Sequence, residues 1–182
     1  MREAGGSSPG CIRAARRPML HYFAYGSNMH PRVMSARCPG ARPVGRAALT
    51  GWRFHVTTRG SAAILPSPGD QVHGVLWRCS PAHLASLDLY EGVSWGNYWR
   101  RRLLVADADG RTTPAFVYIN ARHYPGRARV TYMMTAILPA ANLFELPSDY
   151  IESLRGWLPE PPLGEKRQRY QGSRKPLRFP RR

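Results

Sequence analysis

Two short segments of the chain carry residue types that could do chemistry. The first is the turn Tyr25-Gly26-Ser27-Asn28, in which a glycine follows an apolar run and leads into a helix-favouring segment. Such a turn exposes backbone N–H groups at the positive end of a helix dipole, which suits a carboxylate or a phosphate. The pattern alone is a weak signal, because most strand-to-helix turns bind nothing. The turn is therefore a candidate anion site.

The second candidate is Glu91, at the end of a predicted helix. Leu84, Leu87 and Glu91 lie at i, i+3 and i+7, so Glu91 shares the face that should point to the core. Burial and the negative end of a helix dipole both raise a carboxyl pKa, toward the ~6–7 that suits general acid and base catalysis. In the alternative, Glu91 turns to solvent or pairs with an arginine of Arg100-Arg101-Arg102. Spacing alone does not choose between the two.

Other chemistries lack their motifs. Ser27 has no GxSxG context, the histidines show no paired-ligand spacing, and no glycine-rich phosphate loop is present. The three cysteines (Cys11, Cys38 and Cys79) have neither the even count of a disulfide framework nor the CxxC spacing of a zinc site. No segment has the apolar length of a membrane span. We therefore expect no metal, no cofactor and no membrane partner, and a reducing, cytoplasmic compartment.

Alternating strands and helices must position these two segments. The predicted strands lie over 20–25, 44–58, 62–65 and 72–79, with a turn over 66–70, and over 99–106 and 113–119, which form a hairpin. A short helix capped by Asn28 and ended by Pro39-Gly40 follows the first strand, and a helix from Pro81 to Gly92 is capped by Ser80. A loop over 120–130 precedes two helices over 131–145 and 148–158. Pro139 interrupts the first of the last two helices. This order predicts an α+β domain with a compact mixed sheet or small barrel.

Length and charge indicate one domain with two tails. A chain of 182 residues with 43% hydrophobic residues suffices for one well-cored domain, which we expect over 20–158. Residues 1–19 are expected to be a flexible leader, with Met19 an alternative start to Met1. Residues 159–182 are expected to be a basic, disordered tail, since they hold eight Lys/Arg against two Glu of a chain whose net charge is +16. Nucleic acid is not an expected partner, and any such binding would use this tail.

Four segments in order resemble the γ-glutamylcyclotransferase family over roughly residues 20–158. They are Tyr22-Phe23-Ala24-Tyr25-Gly26-Ser27-Asn28-Met29, then Pro66-Ser67-Pro68-Gly69-Asp70 with 72–77, then Leu87-Asp88 with Glu91-Gly92-Val93, and finally Leu146-Pro147 with Tyr150. The first and third segments together are specific. The resemblance implies a small mixed β-barrel flanked by helices.

The resemblance also implies roles for residues. The segment of Tyr22, Phe23, Ala24, Tyr25, Gly26 and Ser27 would bind the α-carboxylate and backbone of a γ-glutamyl unit, and Tyr132 would lie near the substrate. Glu91 would be the acid/base of a cofactor-independent lyase or acyltransferase reaction that forms 5-oxoproline, as in glutathione metabolism. The partner would be a small γ-glutamyl compound, whose leaving amine the sequence does not identify.

Two questions of function and assembly stay open at this stage. The alternative function is a non-catalytic γ-glutamyl-binding or interaction module on the same fold. The sequence does not decide between a monomer and a homodimer.

Overall fold

The computed structural model describes residues 19–121 and 124–159. The predicted leader, apart from Met19, and the predicted tail, apart from Pro159, lie outside the described residues. The strands are β1 (Leu20–Ala24), β2 (Arg42–Val56), β3 (Ala62–Cys79), β4 (Tyr98–Asp107) and β5 (Thr112–Asn120). The α-helices are α1 (Pro31–Arg37), α2 (Pro81–Glu91), α3 (Val130–Tyr132), α4 (Leu138–Leu143) and α5 (Ser148–Arg155), with 3-10 turns at Ser27–Met29 and Val93–Trp95 and a π-helical segment at Met133–Ile137.

The strands of the described residues close into a barrel in the order β1-β3-β2-β4-β5. Neighbours pair antiparallel, except that β1 and β5 close the barrel in parallel at Tyr22 and Phe116. The apolar core includes the fully buried Phe23 and Ile64, and the helices flank the barrel. The mixed α+β barrel expected from the resemblance is confirmed. No helix among the described residues is both long and apolar enough to cross a membrane.

The predicted turn over 66–70 is not a strand end. β3 runs through it, because both halves of β3 pair with β2. Thr50 pairs with Gln71 and Trp52 with Pro66, so four residues of β3 stand opposite one of β2. The turn-forming residues therefore form a bulge inside one bent strand, the position in a sheet interior where proline is tolerated.

The predicted N-cap of the first helix is also wrong. α1 begins at Pro31, and His30 is its cap, with Nδ1 accepting from the Arg32 N–H at 3.2 Å. Asn28 instead lies in the preceding 3-10 turn, and its side chain is buried. Its amide has partners in the interior, which compete with capping.

Pro139 does not interrupt the helix it was expected to interrupt. α3, the π-helical segment and α4 follow one another without a break over 130–143. Proline has no N–H to donate and its ring displaces the carbonyl four residues earlier. Pro139 lies in the first turn of α4, directly after the wide π-helical turn. At this position neither the missing N–H nor the displaced carbonyl interrupts the helix.

Candidate active site

A cavity of about 390 Å³ opens at one side of the barrel. Its size is that of a small-ligand pocket. One part of the wall is formed by the end of β1 with the turn after it, the turn between β2 and β3, and the end of α2. The other part is formed by the start of β4, the end of β5, the loop before α3, and α3 itself. The residues that line it are Tyr22, Tyr25, Gly26, Ser27, Asn28, Thr57, Thr58, Arg59, Ser61, Ala62, Tyr90, Glu91, Asn97, Tyr98, Tyr118, Asn120, Tyr124, Arg129 and Tyr132.

The capped helix α2 delivers Glu91 to this cavity. Ser80 accepts from the His83 N–H and His83 Nδ1 accepts from the Ser80 N–H, each at 3.2 Å, so a reciprocal box fixes the first turn. Gly92 ends the helix in the left-handed conformation, with φ 66°. Leu84 and Leu87 are buried as the spacing predicts, and Glu91 follows them on the inner face, partly buried.

Asn28 connects Glu91 to the end of β1. Its Nδ2 donates to Tyr22 Oη at 2.8 Å and to Glu91 Oε1 at 3.2 Å, and its Oδ1 accepts from Arg37 Nη1. Because a guanidinium can only donate, the amide oxygen must face Arg37, and the NH₂ group then faces the carboxylate. The orientation of Asn28, and with it one oxygen of Glu91, is therefore determined by α1.

Burial is the main influence on the Glu91 carboxyl group. It raises the pKa from 4.5 to about 6, against the opposing charge of Arg37 and the hydrogen bond from Asn28. The Arg37 guanidinium stacks on the Tyr90 ring, with Cζ 3.2 Å from the ring centroid. Glu91 thus has a pKa close to neutrality, and Arg37 restrains its rise.

The alternative partner for Glu91 is taken by another carboxylate. Arg100 pairs with Asp88 at 2.5 Å, and Asp88 also accepts from Tyr118 Oη at 2.8 Å. In the described parts of the chain Glu91 forms no ion pair within 4.0 Å. The structural interpretation of Glu91 as a partner of the 100–102 arginines is therefore wrong.

The turn after β1 packs against Tyr132 of α3. The Ser27 N–H donates to Tyr132 Oη at 3.2 Å, and the Ala62 N–H points to the same oxygen at 3.5 Å. A Cβ on Gly26 would lie 3.1 Å from that oxygen, so the glycine leaves room for it. Burial raises the pKa of Tyr132 to about 12, so the phenol stays protonated near neutral pH. Its oxygen accepts from the backbone, and a protonated phenol can also donate a hydrogen bond.

The predicted substrate-binding residues divide into two groups. Tyr22, Tyr25, Gly26, Ser27 and Tyr132 line the cavity together with Glu91. Phe23 and Ala24 are buried in the apolar core and are not part of the lining. Within β1 the pleat sends the neighbouring side chains of Tyr22 and Phe23 to opposite faces of the strand.

Sequence reasoning missed several polar residues of the site. The capping pattern predicts a different role for Asn28, and no sequence motif includes Arg37. Tyr98 was not singled out either, although it lines the cavity, where burial raises its pKa against hydrogen bonds to Asn120 and Ser61. No spacing rule joins these residues to Glu91, since they lie on different elements. The identity of Asn28 within the turn motif was the one available signal.

Within residues 19–121 and 124–159, no three His, Cys, Asp or Glu side chains are grouped as metal ligands. The arrangement offers instead one carboxyl group with a pKa near neutrality, a protonated phenol and a glycine-containing turn around one small cavity. Such a set can remove a proton from a ligand, return it, and hold an anionic or carbonyl group nearby.

Comparison with known proteins agrees with this fold. Residues 22–136 match the family described as gamma-glutamyl cyclotransferase, AIG2-like. The chain is 31% identical over 144 residues to the gamma-glutamylcyclotransferases of Mus musculus and Homo sapiens, covering 74% of this chain and 76% of each relative. A solved structure named gamma-glutamyl cyclotransferase matches with a TM-score of 0.73 at 28% identity, covering 81% of this chain and 93% of that one. The chain belongs to the gamma-glutamyl cyclotransferase, AIG2-like family.

Proposed function

We propose that this protein is a gamma-glutamylcyclotransferase that releases an amine from a γ-glutamyl compound and forms 5-oxoproline, with Glu91 as its acid and base. The relatives named above are called gamma-glutamylcyclotransferases. The observation that carries the assignment of Glu91 is its place in the cavity, with one oxygen held by Asn28 and a pKa raised to about 6. The carboxylate is then present at neutral pH and is still basic enough to take a proton.

One carboxyl group is sufficient for the proton transfers. The α-amine of a γ-glutamyl compound is an ammonium at neutral pH and cannot attack until Glu91 removes a proton. The amine nitrogen then forms a bond to the γ-carbon and closes the ring, and the bond from that carbon to the leaving nitrogen breaks. Protonated Glu91 gives its proton to the leaving nitrogen, and the regenerated carboxylate then carries the second proton of the ring nitrogen to the released amine, which departs as an ammonium ion. No oxidant, metal or cofactor takes part in this balance.

The remaining residues hold the glutamyl unit. In this proposal the turn with Gly26 and Ser27 binds the α-carboxylate and backbone of the substrate, and Tyr132 donates a hydrogen bond to a substrate oxygen. Holding the chain folded places the amine against its own γ-carbonyl, and such orientation can contribute up to ~7–11 kcal/mol to lowering the barrier. Hydrogen-bond donors of the turn would also stabilise the developing oxyanion.

Cellular setting is part of the proposal. Cys38 and Cys79 are free and buried, as expected of a protein in a reducing compartment. We therefore place the enzyme in the cytoplasm, where γ-glutamyl compounds related to glutathione are candidate substrates. The alternative, a non-catalytic module on the same fold, has no supporting observation, because the carboxylate that catalysis requires is present and lies in the cavity.

The decisive experiment is the variant Glu91→Gln, assayed for 5-oxoproline with a panel of γ-glutamyl compounds. Gln keeps the shape of Glu and its oxygen can still accept from Asn28, but it cannot take the proton. We expect kcat to fall by ~10²–10⁴ with substrate binding retained. Glu152→Gln is the matched control, since it removes an exposed carboxylate of α5 outside the cavity, and its kcat per folded molecule should stay near the wild-type value. A fully active Glu91→Gln variant would contradict the assignment.

A further inference from the structure

Two arginines belong to one part of the cavity wall. Arg59 lies in the turn between β2 and β3, and Arg129 ends the loop before α3. In the described residues that line the cavity, Arg59 and Arg129 are the cations and Glu91 is the carboxylate. The mechanism proposed above uses Glu91 but neither arginine.

The two arginine-bearing loops are held side by side. The Thr58 N–H donates to the Tyr124 carbonyl at 3.0 Å, and the Gly126 N–H donates to the Val56 carbonyl at 2.8 Å. A Cβ on Gly60 would lie 2.5 Å from Cγ of Arg129, so the residue after Arg59 is in direct contact with Arg129. The two arginines therefore lie on backbone segments that are held side by side and not on independent loops.

Neither arginine has a counter-charge in the described parts of the chain. The ion pairs found there join other residues, and no carboxylate lies within 4.0 Å of either guanidinium. Both side chains are exposed, and Cζ of Arg129 lies 5.4 Å from the Tyr132 ring centroid. Two cations on neighbouring loops of one cavity create a positive potential that favours an anionic ligand group, and arginine is well suited to bind a carboxylate or phosphate.

We propose that Arg59 and Arg129 form an anion subsite for the leaving portion of the substrate, so that this chain prefers leaving amines that carry acidic groups. The inference rests on the proposed function, because it takes the glutamyl unit to lie between Glu91 and the Gly26-Ser27 turn. Arg129 precedes α3, one helical turn before Tyr132, and it contacts Gly60 of the turn that carries Arg59. A group that leaves the γ-carbon and passes Tyr132 reaches this rim.

Three substrates that differ in leaving-group charge test the inference. They are γ-glutamylethylamine, γ-glutamylalanine and γ-glutamylaspartate, whose leaving amines carry no, one and two carboxylates. We expect kcat/KM to rise roughly threefold to tenfold for each carboxylate, since the subsite is exposed and partly screened. Arg59→Gln and Arg129→Gln should each reduce this dependence while changing the rate with γ-glutamylethylamine little. Arg53→Gln, an exposed arginine of β2 outside the cavity, is the control and should keep the wild-type order.

Binding of the same three compounds to Glu91→Gln, measured by calorimetry, gives a readout without turnover. Equal affinity for the three compounds would overturn the subsite. An equal loss for all three in both arginine variants would overturn it too, because it would assign the arginines to the α-carboxylate of the glutamyl unit. Failure of the proposed function looks different: no 5-oxoproline would form from any of the compounds, while the charge-dependent binding and its loss in the arginine variants would remain.

Discussion

Asn28 and Arg37 set the environment of the candidate catalytic carboxylate. Asn28 holds one oxygen of Glu91, and among the described residues no hydrogen bond holds the other. Arg37 orients Asn28 and contributes a positive charge that lowers the Glu91 pKa, against the larger effect of burial. The value of about 6 is therefore a balance between desolvation and a nearby cation.

This balance predicts the effect of Arg37→Met. Removing the cation should raise the Glu91 pKa further, so the acid limb of kcat/KM against pH should move to higher pH. The sign follows because the carboxylate is the active base and is lost as pH falls through its pKa. Arg32→Met, on the exposed face of the same helix, is the control and should leave the limb in place. An unchanged acid limb in Arg37→Met would show that the cation does not influence the base.

The raised pKa also predicts a pH-dependent stability. Folded Glu91 holds its proton up to about pH 6, whereas the unfolded carboxyl group loses it near 4.5. Ionised Glu91 therefore destabilises the fold, and this cost grows as pH rises from 4.5 to 6 and is complete above that window, at about 2 kcal/mol.

Glu91→Gln should remove this cost. The free energy of unfolding of the variant, relative to wild type, should increase by up to about 2 kcal/mol between pH 4 and pH 7. Urea unfolding at the two pH values measures it. If the difference in unfolding free energy between variant and wild type is independent of pH, Glu91 has the same pKa in the folded and the unfolded protein.

At the scale of elements, the site depends on how the turn after β1 meets α3. Gly26 has φ −114°, a conformation open to any residue, so its role is to leave space and not to permit an unusual backbone. The phenol of Tyr132 occupies that space and accepts from the Ser27 N–H. The π-helical turn after α3 lets the helix continue past Pro139, and Tyr132 keeps its place in a continuous helix.

A double-mutant cycle of Gly26→Ala and Tyr132→Phe tests this packing. The added methyl group should displace the phenol oxygen by a few tenths of an ångström and raise KM for a γ-glutamyl substrate. In the Tyr132→Phe background that oxygen is absent, so the methyl group should have a smaller effect. Steady-state kinetics of the four proteins give the coupling. Strictly additive effects would mean that the turn and the phenol act independently.

At the scale of the whole molecule, β1 and β3 approach each other closely within the barrel. A Cβ on Gly74 would lie 2.2 Å from the Ala24 carbonyl oxygen and 2.9 Å from the Phe23 ring. The first contact is with backbone, which cannot move aside without breaking the ladder between the two strands. Because β1 carries Tyr22 and leads into the Gly26 turn, this packing also sets the position of the cavity wall.

Gly74→Ala should accordingly destabilise the protein by about 1–3 kcal/mol or more through overpacking. Gly156→Ala, at the end of α5, is the matched control, because its new methyl group would be no closer than 3.3 Å to its neighbours. Chemical unfolding of both variants decides the point. A Gly74→Ala protein as stable as the control would show that the strands can separate there at little cost.

The sequence by itself determined the elements whose signals are local. Ser80, Pro81 and Gly92 define α2 because capping, proline and left-handed preferences act within a turn. The hairpin of β4 and β5 was likewise predicted within one residue at most of its ends. The family resemblance connects the turn motif with Glu91, which no local signal does.

Only the tertiary structure decided how distant residues combine. The turn residues at 66–70 became a bulge because β2 pairs with both halves of β3, a long-range contact that local turn propensity does not include. Asn28 left its capping role because Tyr22, Arg37 and Glu91, on three other elements, offered its buried amide better partners. Hydrogen bonds between elements and burial at a cavity depend on packing. The spacing of residues along one element does not determine that packing.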